Sequence, residues 1–236
     1  LMLLKDKHKI ISWLDSLNIK CYELIPDYKY GFIVNTSKGV YIRNINLTSI
    51  DVKFNHIDGN FFCNNNQLTS LEGCPETVTG YFDCSFNQIS SLKLAPKSVG
   101  QDYRCNNNNL ISLEGSPIEI FRNFDCSYNQ IKSLYNSPKT VHKDFKCFHN
   151  QLTSLEGCPQ IIHGDFYAFE NNIDNLNHLP LEINNNFISL FNNHKNITKY
   201  SRIKNFNLLK SILKKDFVFN SLPISSLQNN TSLCKI

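Results

Sequence analysis

Residues 124–134 read FDCSYNQIKSL, and the same frame of aromatic, cysteine, asparagine and leucine returns as FFCNNNQLTSL from Phe61, FDCSFNQISSL from Phe82, YRCNNNNLISL from Tyr103 and FKCFHNQLTSL from Phe145. The step between copies is 21 residues each time. Pro75, Pro96, Pro117, Pro138, Pro159 and Pro180 keep it, as do Asn66, Asn87, Asn108, Asn129, Asn150 and Asn171. Apolar columns run through Leu68, Ile89, Leu110, Ile131, Leu152 and Ile173, through Leu71 to Leu176, and through Val78 to Ile183. Columns of this kind mark a stack in which each copy buries its apolar side against the next.

Within FDCSYN the alternation of period two turns Phe124 and Cys126 inward and Asp125 and Ser127 outward, so stacked copies predict a parallel sheet. A thiol suits a narrow inner column, where it behaves as a small hydrophobe. The asparagine stands where the chain leaves the strand, and its amide can satisfy backbone groups that the turn takes out of the ladder. Twenty-one residues leave no room for a helix on the return path, which is expected to be extended or polyproline-like. Proline costs nothing there because no ladder hydrogen bond is required on that path.

Counting back one step from Phe61, Cys63, Leu68 and Leu71 reaches Val40, Ile42, Leu47 and Ile50, a degenerate first turn. Counting forward from Phe166, Ala168 and Asn171 reaches Phe187, Ser189 and Asn192. The array is therefore placed at residues 40–197, between an amino-terminal segment (1–39) and a carboxyl-terminal segment (198–236). Stack ends expose core and sheet edge, and both flanks suit helical caps. Ile10, Trp13, Leu14 and Leu17 have helical spacing between Asp6, a candidate N-cap, and Asn18, a candidate stop. CYELI and YGFIV, separated by PDYK, predict a short antiparallel pair. Ile203, Phe206, Leu209, Ile212 and Leu213 predict a second helix.

The formal charge of +4 is too small to argue for a polyanion ligand. No apolar run approaches the roughly 18 residues of a membrane span. LMLLKDKHK is too short for the apolar core of a secretory signal, so a cytoplasmic location is expected. Nine cysteines fit that reducing setting because five of them, Cys63, Cys84, Cys105, Cys126 and Cys147, mark a packing column.

The unit FxCxxNxLTSLEGCP, clearest at Phe61 to Pro75 and Phe145 to Pro159, resembles the short leucine-rich repeats of bacterial effectors, and more closely those encoded by bacteriophages and other large DNA viruses. The segment KIISWLDSLNIK resembles the leader that often precedes such arrays. The resemblance implies an α/β solenoid with its parallel sheet on the concave side, an extended convex side and helical caps. It also implies a binding scaffold, since the enzymes of that family carry a separate ligase domain with a catalytic cysteine. Residues 198–236 are too short for one.

The expected concave face presents Asn60, Tyr81, Asp102, Asn123, Asp144 and Asp165 ahead of the inner aromatics, then Phe62, Asp83, Arg104, Asp125, Lys146 and Tyr167. Asn64, Ser85, Asn106, Ser127, Phe148 and Phe169 follow the cysteine column, and Asn65, Phe86, Asn107, Tyr128, His149 and Glu170 come next. Phe62, Tyr81, Asp83, Phe86, Asp102, Arg104, Asp125, Tyr128, Asp144, Lys146, Phe148 and Tyr167 are the expected contact residues for a host protein, because outward aromatics among charges are typical interface anchors.

The aspartates of this face admit acid–base work, but regular repeats generate such columns and Arg104 and Lys146 balance them. His142 and His163 are one turn apart without an evident third metal ligand. Cys147 lies near His149 but belongs to the buried column. No cofactor, no metal and no catalytic residue is expected. The alternative partner is nucleic acid, held by Lys195, Lys199, Arg202, Lys204, Lys210, Lys214 and Lys215 against the single acid Asp216.

Overall fold

The computed structural model describes residues 3–189 and 207–212. Its body is a parallel β-solenoid. Eight two-residue strands, from Val40–Tyr41 and Phe61–Phe62 through Phe166–Tyr167 to Phe187–Ile188, form one sheet in sequence order. Every neighbouring pair is parallel and offset by one repeat, so Phe61 faces Phe82 and Phe124 faces Phe145.

The inward alternation holds along the whole sheet. Phe61, Phe82, Tyr103, Phe124, Phe145 and Phe166 are completely buried, and their rings follow one another at centroid distances of 5.0 to 6.1 Å. Cys63, Cys84, Cys105, Cys126 and Cys147 are likewise buried, with Leu68, Ile89, Leu110, Ile131, Leu152 and the column from Leu71 completing one continuous core. Each buried phenyl contributes about 2–3 kcal/mol by leaving water. One orphan interrupts the column: the buried Tyr103 hydroxyl has no hydrogen-bond partner.

The asparagine column stitches the turns together. Asn108 Nδ2 donates to the carbonyl oxygens of Cys105 at 3.2 Å and of Cys84, one turn earlier, at 3.0 Å. Its Oδ1 accepts from Ile89 N at 3.0 Å. Asn66, Asn87, Asn129, Asn150 and Asn171 repeat the arrangement. One amide thus serves three backbone groups in two turns, as the sequence predicts.

The return path differs from the expectation of a chain without ladder hydrogen bonds. It carries a second set of parallel strands: Lys53–Ile57, Thr77–Val78 and Ser98–Val99, then a separate group of Glu119–Ile120, Thr140–Val141, Ile161–Ile162 and Glu182–Ile183. Pro75 stands one residue ahead of Glu76, whose N–H is the donor to Asn55 at 2.8 Å, so the proline's missing N–H is not needed. The corner before it turns on a left-handed residue. At the corresponding corner before Pro117, a Cβ on Gly115 (φ 100°) would stand 2.3 Å from the Leu92 carbonyl oxygen, whereas Asn136 and His178 hold φ of 65° and 62° at the equivalent corners.

At the amino-terminal end, helix α1 (Lys7–Ser16) starts at Asp6, whose carboxylate accepts from Lys9 N at 3.0 Å, and stops before Asn18 at φ 54°. Its Ile10 and Leu14 are buried in the solenoid core, and Trp13 packs on Phe54. Strands β1 (Tyr22–Asp27) and β2 (Gly31–Thr36) form the expected antiparallel hairpin, and β2 pairs in parallel with Lys53–Ile57. Residues 207–212 are helical, with Leu209 buried against the core and Lys210 Nζ donating to the Leu181 carbonyl at 2.6 Å. Ile203, Phe206 and Leu213 lie outside the described residues, as do Lys195, Lys199, Arg202, Lys204, Lys214, Lys215 and Asp216.

Candidate functional site

The outward face of the eight-stranded sheet is built by the same alternation that fills the core. Residues two apart share a side, so each rung shows one residue before the buried aromatic, one between aromatic and cysteine, and two after it. The last of these has a backbone feature that the alternation does not reveal. Asn65, Phe86, Asn107, Tyr128, His149 and Glu170 are all left-handed, with φ between 50° and 53°. Asparagine visits that region readily, whereas other L-residues pay about 1–2 kcal/mol there. The sequence thus places Phe86, Tyr128, His149 and Glu170 where the backbone favours asparagine or glycine.

Several expected contact residues are held by the scaffold. Apart from Tyr81, the residues ahead of the inner aromatics form a ladder in which a side-chain oxygen accepts the backbone N–H of its counterpart one turn later. Asn60 takes Tyr81 N, Asp102 takes Asn123 N, Asn123 takes Asp144 N, Asp144 takes Asp165 N, and Asp165 takes Asn186 N, at 2.8 to 3.2 Å. Asp102 is 3% exposed and also meets Arg104 Nη2 at 2.9 Å and Arg122 Nε at 3.6 Å. Asp83 and Asp125 each accept from the N–H and the hydroxyl of the serine two residues on, Ser85 and Ser127. These acids fix turns with one oxygen each.

The aromatics gather into two groups. Nearer the amino terminus, Tyr41, Phe62 and Tyr81 follow one another at 5.4 and 6.5 Å, with Arg43 over Phe62 at 5.6 Å and Arg122 over Tyr81 at 5.9 Å. Further along, Phe148 stacks on Phe169 at 4.4 Å, Tyr128 stacks on His149 at 4.3 Å, and His149 Nε2 lies 2.5 Å from Glu170 Oε2. Tyr128 also meets Phe148 edge-on at 5.3 Å. Lys146 lies over Tyr167 at 5.6 Å. Phe86, 51% exposed, stands on the same rung as Tyr81, at its far end.

His149, Phe169, Glu170, Tyr41, Arg43 and Arg122 join the face although the expected contact set omits them. The first three are signalled by leaving the Asn or Ser habit of their columns. Tyr41 and Arg43 belong to the degenerate first turn, and Arg122 lies outside the strand alternation altogether.

Burial decides the chemistry of the inner groups. It pushes the thiols of Cys84, Cys105, Cys126 and Cys147 well up from their ordinary range, so Cys147 is a neutral packing group beside His149. Tyr167 is pushed up to about 12, first by burial and then by its hydrogen bond to Asp165 Oδ2 at 3.0 Å, which keeps it a donor. His142 contacts Glu119 Oε1 at 2.7 Å, and His163 contacts Asn184 at 3.1 Å while its ring lies tilted against that of His142 at 5.2 Å. Among the described residues no three His, Cys, Asp or Glu side chains converge as a metal site, and no helix is long and apolar enough to cross a membrane.

Fold and face together define a parallel β-solenoid with an aromatic and charged outward sheet face. The chain matches no protein-family model, and no curated protein or solved structure matches it at a significant level.

Proposed function

We propose that the protein is a non-enzymatic scaffold of the leucine-rich-repeat kind that grips another protein through the outward face of its eight-stranded sheet. The observation that carries this is the pair of aromatic groups on that face, with Tyr41, Phe86 and Tyr128 each about half exposed (54%, 51% and 45%). Outward rings in a periodic array need no such columns for folding, because Asn and Ser fill the same places in neighbouring turns. Exposed aromatic anchors of this kind are the usual centre of protein interfaces. Helix α1 and the helical turn 207–212 serve as caps over the two ends of the stack, shielding core residues that would otherwise face water.

The FxCxxNxLTSLEGCP unit supports a phage- or virus-encoded adaptor or inhibitor acting on a host protein in the host cytoplasm. The immobilised protein, exposed to bacterial lysate, is expected to retain one host protein, and a Tyr81→Ala, Tyr128→Ala, Phe148→Ala triple variant of unchanged Tm is expected to lose it. Retention by the triple variant removes this face from the interface. Nuclease-sensitive recovery of nucleic acid, falling with salt, transfers the role to the basic residues between Lys195 and Lys215.

A further inference from the structure

The two aromatic groups differ in how their ring faces are covered, and from that difference we infer that the group around Tyr128 and Phe148 takes an extended, arginine- or lysine-bearing segment of the partner protein. In the amino-terminal group the molecule supplies its own cations, with Arg43 over Phe62 and Arg122 over Tyr81. In the second group, among the described residues, no lysine or arginine lies over Tyr128, Phe148 or Phe169. Ring faces flanked by carboxylates attract a cation both through the quadrupole and through ordinary charge.

The carboxylates are there. Asp125, Asp144, Asp165 and Glu170 lie on the same rungs, where Lys146 is the one lysine or arginine at an outward strand position, its Nζ 3.9 Å from Asp144 Oδ2, and Glu170 Oε2 contacts His149 Nε2. Each aspartate spends one oxygen on a backbone or serine donor, and Asp165 gives its other oxygen to the Tyr167 hydroxyl. The stack covers three successive rungs at roughly 4.8 Å each, about 10 Å from first to last, which an extended segment spans in about three residues. Phosphate is repelled by the same acids, so the occupant is a peptide rather than a nucleic acid. This deepens the proposal of a protein-binding face and depends on it.

The test uses the full chain and fluorescence anisotropy with two labelled probes of equal length, an arginine–glycine repeat peptide and an aspartate–glycine counterpart. The basic probe is expected to bind and the acidic one not. Glu170→Lys places a fixed cation beside the rings and is expected to weaken the basic probe by about tenfold or more. Tyr128→Asn is expected to do the same, and it folds because Asn65 and Asn107 already occupy that position in other turns. Equal binding of both probes, no binding of either, or a basic probe indifferent to both substitutions overturns the assignment. If lysate capture through Tyr81, Tyr128 and Phe148 succeeds while the basic probe fails, only the charge of the partner is wrong. If capture fails as well, the face itself is.

Discussion

Asn107 and Asn108 are neighbours of the same residue type, and they obey opposite rules. Asn108 is 8% exposed, and its amide joins two turns through three backbone groups. Its column is asparagine from Asn66 to Asn171. Asn107 points outward on a left-handed backbone, and its column passes through Asn65, Phe86, Tyr128, His149 and Glu170. Where a side chain closes backbone hydrogen bonds, asparagine alone sets an amide donor and acceptor at this short reach from the backbone. Where only the backbone is constrained, the side chain is free to change at a cost of about 1–2 kcal/mol. Four turns bear that cost, and three of the four residues meet in one cluster. Local strain of this sort concentrates at binding surfaces.

The largest effect expected on the inner wall comes from alkali. The folded chain keeps Cys84, Cys105, Cys126 and Cys147 protonated by burial, with Cys158 pushed up to about 12 by the same cause. The unfolded chain ionises its thiols near pH 8.5, so their contribution is complete below about that value. It declines as pH rises, by about 1.4 kcal/mol per pH unit for each thiol that ionises only when unfolded. Thermal melts are expected to be flat from pH 7 to about 8.5 and to fall steeply above it; a flat profile to pH 11 would mean the thiols are not enclosed.

Phe124→Ala removes the middle of the ring column and is expected to cost about 3–5 kcal/mol in urea denaturation. Asn108→Ala strands two carbonyls and one N–H inside the stack and is expected to cost about 2–4 kcal/mol, whereas Asn107→Gly next door should stay within about 0.5 kcal/mol of wild type. Equal losses at the two sites would erase the distinction between the columns. Tyr128→Asn is expected to raise stability by about 1 kcal/mol while abolishing capture of the partner, a trade that a purely structural tyrosine would not show. Smallest is Tyr103→Phe, which removes the unpartnered hydroxyl and should stabilise by up to about 1 kcal/mol; a loss instead would reveal a partner for that oxygen.

Much of the framework was legible in the sequence because periodic burial leaves periodic letters. The inward columns, the asparagine stitch, the Asp6-capped helix and the β1–β2 hairpin follow from spacing and residue type. The second set of strands was not legible, because two residues are too few to show alternation and Pro75 masks a ladder that begins one residue later. The left-handed column was half visible in Asn44, Asn65 and Asn107, whose type hints at the backbone, but Phe86, Tyr128 and His149 hide it. The ladder of Asp102, Asp144 and Asp165 was written in the interchange of Asp with Asn60 and Asn123. Both types offer the acceptor oxygen that the next turn needs, and charge is incidental to that task.

The hydrogen bonds that tie one turn to the next recur at a fixed interval, and each engages adjacent turns only. Duplicating or excising one whole unit therefore leaves every surviving neighbour as it was, while an insertion of any other length breaks the count. Such a molecule can be lengthened like a ruler, one graduation at a time, and each new graduation brings four fresh outward letters to be spelled without rewriting the grammar beneath.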